Sequence, residues 1–562
     1  MEVEFASIRI ESCGTNKRSG CFLIRELLCF DRVLGNVDQA HDDLPVVIAP
    51  LASPPPRILL YKGPAFFSPH PHSLVSPISH EARSCIYHPR RRVDRVGIHS
   101  SCHSPQVSRA TAPPNPNKRG FGTILAAGGS VGLKNTQNNI YTSTVQVKGK
   151  DLVLQVDTGS SDTWVYPTRD TKDLFSDATV YTDLPLKLSY GRGSVSGYVS
   201  QLTMSFAGYT VQNQSILLVQ DEEDMSLIES NLTNGLLGLG FDTLSSIANS
   251  VAQGTGGQSW GRTILSNIFI SDPTTPNHIA FRLDRTDDGN STDVGAFDVG
   301  TFASGLEAIN NTAEIPIFSS SSQQNLYWNI LVDGVTLNGK AQTLKTTVNG
   351  GTQTPPAGKV SAVLDTGYSL PQLTPDLAHA IYTAMGGTLV EDGTNTTYAV
   401  PCMAEAQLVF QIAGHNIPIH PLDLTQVTTI TTTDRSQNFT MCQNAFQPFS
   451  SNAGGGEVDY ILGDAFLRNV YSLYDYGDFI QGFSGLAQGD PYMKLLPLTD
   501  ATAASAEFKT ARAASLSAAG MPPQIDPTTI NGVPKALPGT GGGSPSGGGG
   551  GGGGKRSWTC CW

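Results

Sequence analysis

Two short segments carry residue types and spacings suited to acid–base chemistry. Gln155-Val156-Asp157-Thr158-Gly159-Ser160-Ser161 is echoed by Val363-Leu364-Asp365-Thr366-Gly367-Tyr368-Ser369. A second echo follows each copy. Asn234-Gly235-Leu236-Leu237-Gly238-Leu239-Gly240 lies about eighty residues after the first aspartate, and Asp459-Tyr460-Ile461-Leu462-Gly463-Asp464 about a hundred after the second. A repeat of this kind reads as two related lobes in tandem. Each aspartate follows an apolar strand and precedes a Thr-Gly turn, where glycine lets another backbone come close. Two such turns meeting at a lobe interface would face one carboxylate toward the other. Like charges about 3 Å apart do not both ionise, so the pair shares one proton and titrates as a unit. One carboxyl can then take a proton from a water held between them while the other donates one to a carbonyl oxygen. The chemistry this predicts is amide hydrolysis by an activated water, without a covalent enzyme adduct.

The elements that must position these residues are mostly strands. From about Tyr141 to Gly485, short runs of Val, Ile, Leu, Tyr and Thr alternate with Gly, Asn, Asp and Ser, the pattern of many short strands. Helical periodicity is sparse, its clearest case being Pro375-Asp376-Leu377-Ala378-His379-Ala380-Ile381-Tyr382. The expected fold class is therefore all-β.

The flanks differ from this body. Residues 1–120 are rich in proline and hold seven of the eleven histidines, and they read as disordered. The best candidate for a secretory signal, Phe22 to Leu28, is interrupted by Arg25 and Glu26. Arg90-Arg91-Arg92 and Lys118-Arg119 read either as processing sites for a basic-residue convertase or as a solvated basic patch. After about Leu498 the chain turns to Ala, Pro and Gly and runs through eight consecutive glycines, Gly547 to Gly554, which predicts a flexible tail.

Charged residues are 15% of the chain, against about 25% in an ordinary globular domain. The net charge of −12 is uneven: residues 1–120 carry +5 and residues 121–500 carry −20. An acidic body excludes nucleic acid as the expected partner and leans toward an acidic working environment. Nine cysteines in 562 residues are too few for a disulfide scaffold. Cys402 and Cys442 are isolated in the body and read as one disulfide, the other reading being two buried thiols. Six Asn-x-Ser/Thr sequons, at Asn213, Asn231, Asn290, Asn310, Asn395 and Asn438, all fall in the body, which fits passage through the secretory pathway. A metal centre is not expected: His-Glu-x-x-His is absent from the sequence, and the groups His70-Pro71-His72 and His99, Cys102, His103 lie in the N-terminal segment. Ser160 and Ser161 have no histidine motif to make them nucleophiles.

On these motifs the body, over roughly residues 135–490, resembles a pepsin-type (family A1) aspartic endopeptidase of the kind secreted by fungi. The first copy continues through Asp162-Thr163-Trp164-Val165, close to the family pattern, and Ser189-Tyr190-Gly191-Arg192-Gly193-Ser194 resembles the hairpin flap over the substrate. The resemblance implies a bilobal fold with a central cleft and one catalytic aspartate from each lobe, Asp157 and Asp365. It implies loop support from Thr158, Gly159, Ser160, Thr366 and Gly367, with the two threonines interlocked. It also implies a flap and substrate-binding set of Tyr190, Gly191, Arg192, Gly193, Ser194, Trp164, Tyr368 and Ser369, in which Tyr190 hydrogen-bonds toward Trp164. Tyr327-Trp328-Asn329-Ile330 resembles the strand opening the second lobe, Ile461 to Arg468 its last conserved segment, and Cys402 and Cys442 stand where the family has a second-lobe disulfide.

Two positions depart from the family. Tyr368 stands where a Ser or Thr hydroxyl usually supports the second carboxylate, which predicts higher proton affinity at Asp365 and a displaced pH optimum or lower rate. Arg192 near the flap tip either disfavours basic substrate side chains or points to solvent.

The resulting expectation divides the chain into a disordered, propeptide-like leader at 1–120 (unless this is not the chain's natural start), an N-terminal lobe at 121–310, a C-terminal lobe at 311–498 and a flexible tail at 499–562. The expected protein is a secreted glycoprotein zymogen, monomeric, located outside the cell, at its surface or in the vacuole. It would cut protein and peptide substrates at acidic pH with no cofactor, no metal and no nucleic acid. The alternative is a catalytically silent relative that binds peptides or proteins at the cell surface.

Overall fold

Apolar alternation builds the strands that carry both aspartates. In Lys150–Asp157, Leu152, Leu154 and Val156 are fully buried, and in Val360–Leu364 every residue is buried. The computed structural model in which these strands are seen describes residues 107–109, 129–191, 193–272, 274–286, 295–318, 327–348, 353–392, 395–432, 436–449, 458–477, 489–532 and 535–536. The leader histidines and basic clusters, Arg192, Asn290 and the glycine run lie outside the described residues.

Lys150–Asp157 pairs antiparallel with Ile140–Val147 and parallel with Gly235–Gly238, placing Asp157 opposite Gly238. Val360–Leu364 pairs antiparallel with Asn329–Val332 and parallel with Tyr460–Leu462, placing Leu364 opposite Leu462. The two echoes in the sequence are thus the parallel neighbours of the two aspartate strands. A hairpin of Thr179–Ser189 and Ser194–Phe206 closes at Tyr190, whose N–H donates to Gly193 O at 3.1 Å. One fourteen-stranded sheet takes most of its strands from before residue 300 but also Val470–Asp475, which pairs with His278–Arg282, and Tyr492–Pro497. Three smaller sheets are built between residues 329 and 536.

The all-β expectation is overturned, because helices make the fold mixed α and β. They include Ser246–Thr255, Ile264–Ser271, Pro375–Ala384 and Ala501–Leu516. Ser245 and Thr263 cap the first two by accepting from Ala248 N and Ser266 N. Residues Ile264 to Phe269 are all buried, so that helix has no polar face to produce an amphipathic pattern. Short buried helices of this kind are indistinguishable from strands by apolar content alone.

Ala501–Leu516 falls where composition predicted a flexible tail. Asp500 caps it by accepting from Thr502 N and Ala503 N, and Ala504, Phe508 and Arg512, spaced at i, i+4 and i+8, are buried. Arg512 Nη1 donates to Thr425 Oγ1 at 2.8 Å and to Cys402 O at 3.2 Å, and its Nη2 to Thr425 O at 3.2 Å. The helix therefore rests against the Cys402–Cys442 disulfide, which is formed with its Cα atoms 5.1 Å apart. Beyond it Thr440 N donates to Pro523 O at 2.9 Å, Ile530 is buried against Val390, Ala399 and Met441, and Lys535–Ala536 pairs with Thr431–Thr432. Residues 500–532 and 535–536 strap the sheet that holds Thr425–Thr432 and Asn438–Asn444.

A second clamp centres on Asp423. It accepts from Arg468 Nε at 2.6 Å, Arg285 Nε at 3.0 Å and Asn469 Nδ2 at 3.0 Å. The two guanidiniums hold its buried carboxyl well below the usual range. Arg468 Nη1 also donates to Asn138 O at 2.9 Å, tying the segment after Tyr460–Leu462 to the hairpin of Ser130–Thr136 and Ile140–Val147.

Removing the Arg512 guanidinium leaves the Thr425 and Cys402 acceptors buried without it. Arg512→Ala should cost about 3 kcal/mol of unfolding free energy, measured by urea denaturation. An unchanged midpoint and slope would show that the helix is not docked as described.

Candidate active site

The aspartate strands end side by side, and their loops are locked together by threonines. Thr158 N donates to Thr366 Oγ1 at 3.1 Å and Thr366 N to Thr158 Oγ1 at 3.0 Å. Each hydroxyl then donates across to the other strand, Thr158 Oγ1 to Leu364 O at 2.9 Å and Thr366 Oγ1 to Val156 O at 3.2 Å. The glycines explain the closeness of the approach. A Cβ on Gly159 would collide with the Asp365 carboxylate, and one on Gly367 with the Asp157 carboxylate.

Both carboxyls are buried, Asp157 at 6% and Asp365 at 4% exposure. Asp157 accepts from Gly159 N at 2.9 Å and from Ser160 Oγ at 2.5 Å, and Asp365 accepts from Gly367 N at 2.7 Å. Burial raises the pKa of Asp157, opposed chiefly by the Ser160 hydroxyl. Burial, and then the charge of Asp157, push Asp365 well above the ordinary carboxyl value. At the second loop the position corresponding to Ser160 is Tyr368, which is buried and packs among Val363, Val458, Ile461, Tyr327 and Phe449. Such a pair holds one proton between two inequivalent sites.

The remaining expected residues fall into three groups. Tyr190 stands over the cleft with its hydroxyl accepting from Trp164 Nε1 at 2.7 Å. Ser194 pairs with Ser189 at the end of the hairpin and Gly193 closes the turn at φ 79°. Gly191 lies in the same turn, and Arg192 is outside the described residues. Ser369 is buried and donates its hydroxyl to Asn139 O, so it faces the first hairpin.

Some cleft residues were not singled out from the sequence. Asp162 accepts from Ser245 Oγ at 2.6 Å, Ser246 N at 2.9 Å and Ile247 N at 3.0 Å, fixing the helix that borders the cleft. Gln155 Nε2 donates to Gly367 O at 3.2 Å, a contact between the two repeats. Lys187, Leu244 and Tyr327 line the cleft with the aspartates. The contacts of Gln155 and Asp162 span 212 and more than 80 residues, and no local pattern announces them. Among the described residues no group of three or more His, Cys, Asp or Glu is arranged to hold a metal ion.

Known proteins are similar to this chain. The major aspartyl peptidase 1 of Cryptococcus neoformans var. grubii is 24% identical over 66% of this chain and 72% of its own length. Rhizopuspepsin-4 of Rhizopus niveus is 28% identical over 62% of this chain and 78% of its own. The crystal structure of the aspartic proteinase from Irpex lacteus covers 66% of this chain and 98% of that one, at 21% identity and a TM-score of 0.47. Residues 140–486 match the family described as eukaryotic aspartyl protease, and with more than half its length inside that match the chain belongs to the eukaryotic aspartyl proteases.

Proposed function

We propose that this protein is an endopeptidase that hydrolyses protein and peptide substrates at acidic pH with a water activated by Asp157 and Asp365. The observation that carries the reading is the pair of buried carboxyls facing each other, each against the glycine of the other's loop. The Ser160 hydroxyl and Gly159 N–H favour the charged form of Asp157, while Asp365 has the stronger hold on the shared proton. Asp157 accordingly takes a proton from water as its oxygen attacks the scissile carbonyl carbon, and Asp365 gives its proton to the carbonyl oxygen. In collapse the C–N bond breaks, the amine leaves with the proton held by Asp157, and Asp365 recovers one from the diol. Extended substrate lies beneath Tyr190, pairing in part through backbone hydrogen bonds. The protein acts as a monomer, since one chain supplies both aspartates.

We also place it in the secretory pathway, reaching the cell exterior, surface or vacuole. The disulfide and the exposed sequon asparagines Asn231, Asn310 and Asn438 support this. Treatment of the native protein with an N-glycosidase should increase its gel mobility, and an unchanged mobility would count against the assignment.

Asp157→Asn and Asp365→Asn should each lower cleavage of an unfolded protein substrate by at least about 10³-fold. Gly159→Ala should do the same by steric displacement of Asp365. Pepstatin should block the wild-type reaction. Pepstatin binding with no cleavage would instead favour the silent, peptide-binding reading.

The two carboxyl environments predict opposite shifts in the pH profile. Ser160→Ala removes a bond to charged Asp157, so its pKa rises and the acid limb of kcat should move to higher pH. Tyr368→Thr restores a hydroxyl beside Asp365, so the alkaline limb should move to lower pH. Superimposable profiles for either variant and wild type would refute its assigned asymmetry.

A further inference from the structure

The cleft beside the aspartates carries one feature the reaction itself does not use, a lysine in its lining. Lys187 lies in the first flap strand, Thr179–Ser189, and lines the cleft together with Leu188, Leu244, Tyr327 and the two aspartates. Leu188 on the same strand is buried while Lys187 alternates to an exposed position, 58% accessible along its side chain. Lys187 is the only Lys or Arg among the described residues lining this pocket.

The surrounding acids leave that ammonium available. Asp157 and Asp365 share a proton, so the pair presents a single charge. Asp162 has its carboxylate engaged by one hydroxyl and two backbone N–H groups at the start of Ser246–Thr255. Asp221 lies two strands away, opposite Ser196, which itself faces Lys187. Glu223 pairs with the ammonium at 3.4 Å, with side chains 58% and 74% exposed. An exposed ion pair of this kind holds its partners weakly, and a lysine arm is long and flexible enough to change partner. A substrate carboxylate in the cleft would compete with Glu223 for the same ammonium.

We propose that Lys187 makes this pocket select a substrate residue with a carboxylate on a short apolar stem, glutamate ahead of aspartate. The stem would lie on Leu244 and Tyr327, and the carboxylate would displace Glu223 from the ammonium. This rests on the endopeptidase reading above and adds to it a substrate class.

The test uses peptides with Glu, Gln or Lys placed in turn at each of three residues on either side of the scissile bond. At one position Glu should exceed Gln in kcat/KM by about tenfold at about pH 5.5, where glutamate is ionised, and by less than about twofold at about pH 3, where it is neutral. Lys187→Arg should keep the preference, Lys187→Gln should abolish it and Lys187→Glu should turn it toward the Lys peptide. Glu223→Gln should strengthen it by removing the competing carboxylate. The same peptides with the scissile amide reduced to an uncleavable bond are measured for binding to the wild-type and Lys187→Gln proteins. Cleavage with equal rates for Glu and Gln in both proteins would overturn the inference and leave the hydrolytic reading intact. Absence of cleavage with a Lys187-dependent preference for Glu in binding would uphold the pocket and remove the hydrolytic reading, and neither effect would remove both.

Discussion

Two acidic groups are held together in a buried place, and the rest of the architecture answers to that constraint. Like charges do not stay close in a poorly solvated setting unless a proton is shared and the backbone carrying them is rigid. Here rigidity comes from four reciprocal hydrogen bonds of Thr158 and Thr366, each threonine using its N–H and its hydroxyl across the junction. Those bonds satisfy buried polar groups that would otherwise be costly to leave unpaired. They also fix the loops where a Cβ at Gly159 or Gly367 cannot be accommodated.

Rigid loops require rigid strands behind them, which is why each aspartate strand sits between two neighbours. The parallel partners Gly235–Gly238 and Tyr460–Leu462 brace the inner edges, and the antiparallel partners Ile140–Val147 and Asn329–Val332 brace the outer ones. Further ties join the two repeats away from the aspartates. Gln155 reaches Gly367, Ser369 reaches Asn139, and Arg468 joins Asn138 to the Asp423 clamp. Tyr190 is hung from the same frame through Trp164, so the flap is referenced to the strand following the first aspartate.

How much of this was legible follows from the range of each interaction. The aspartate loops, the segments that echo behind them and the turn around Tyr190 stand out in the sequence because each is a short contiguous motif, and two of them occur twice; that the echoes pair in parallel with the aspartate strands was not read from it. The disulfide was readable because two cysteines stood alone in the body. The helices were mostly not readable, since Ile264–Ser271 is buried along most of its length and Ala501–Leu516 has an alanine-rich sequence that resembles its flexible surroundings. Only Phe508 and Arg512, four residues apart, hinted at a docked face, and a buried arginine is not expected from composition. Gln155, Asp162 and Lys187 escaped because their contacts depend on where the chain returns, which a single sequence does not display.

The buried acids give the fold a common electrostatic direction. Burial raises the pKa values of Asp157, Asp162, Asp242, Asp365 and Asp464. A carboxyl whose pKa is raised on folding binds its proton more tightly in the folded chain than in the unfolded one. Its stabilising contribution is present below the unfolded value of about 3.9 and is lost as pH rises through the folded value. Asp423 runs the other way: held low by Arg285 and Arg468, it stabilises above the ordinary value and loses that contribution progressively as pH falls below it. The clamp therefore persists across the mildly acidic range. A body with a net charge of −20 over residues 121–500 is relieved of self-repulsion in that same range. Two separate causes thus act in the same direction as pH falls: burial favours the proton on the enclosed carboxyls, and protonation of exposed carboxylates lowers the charge of the body.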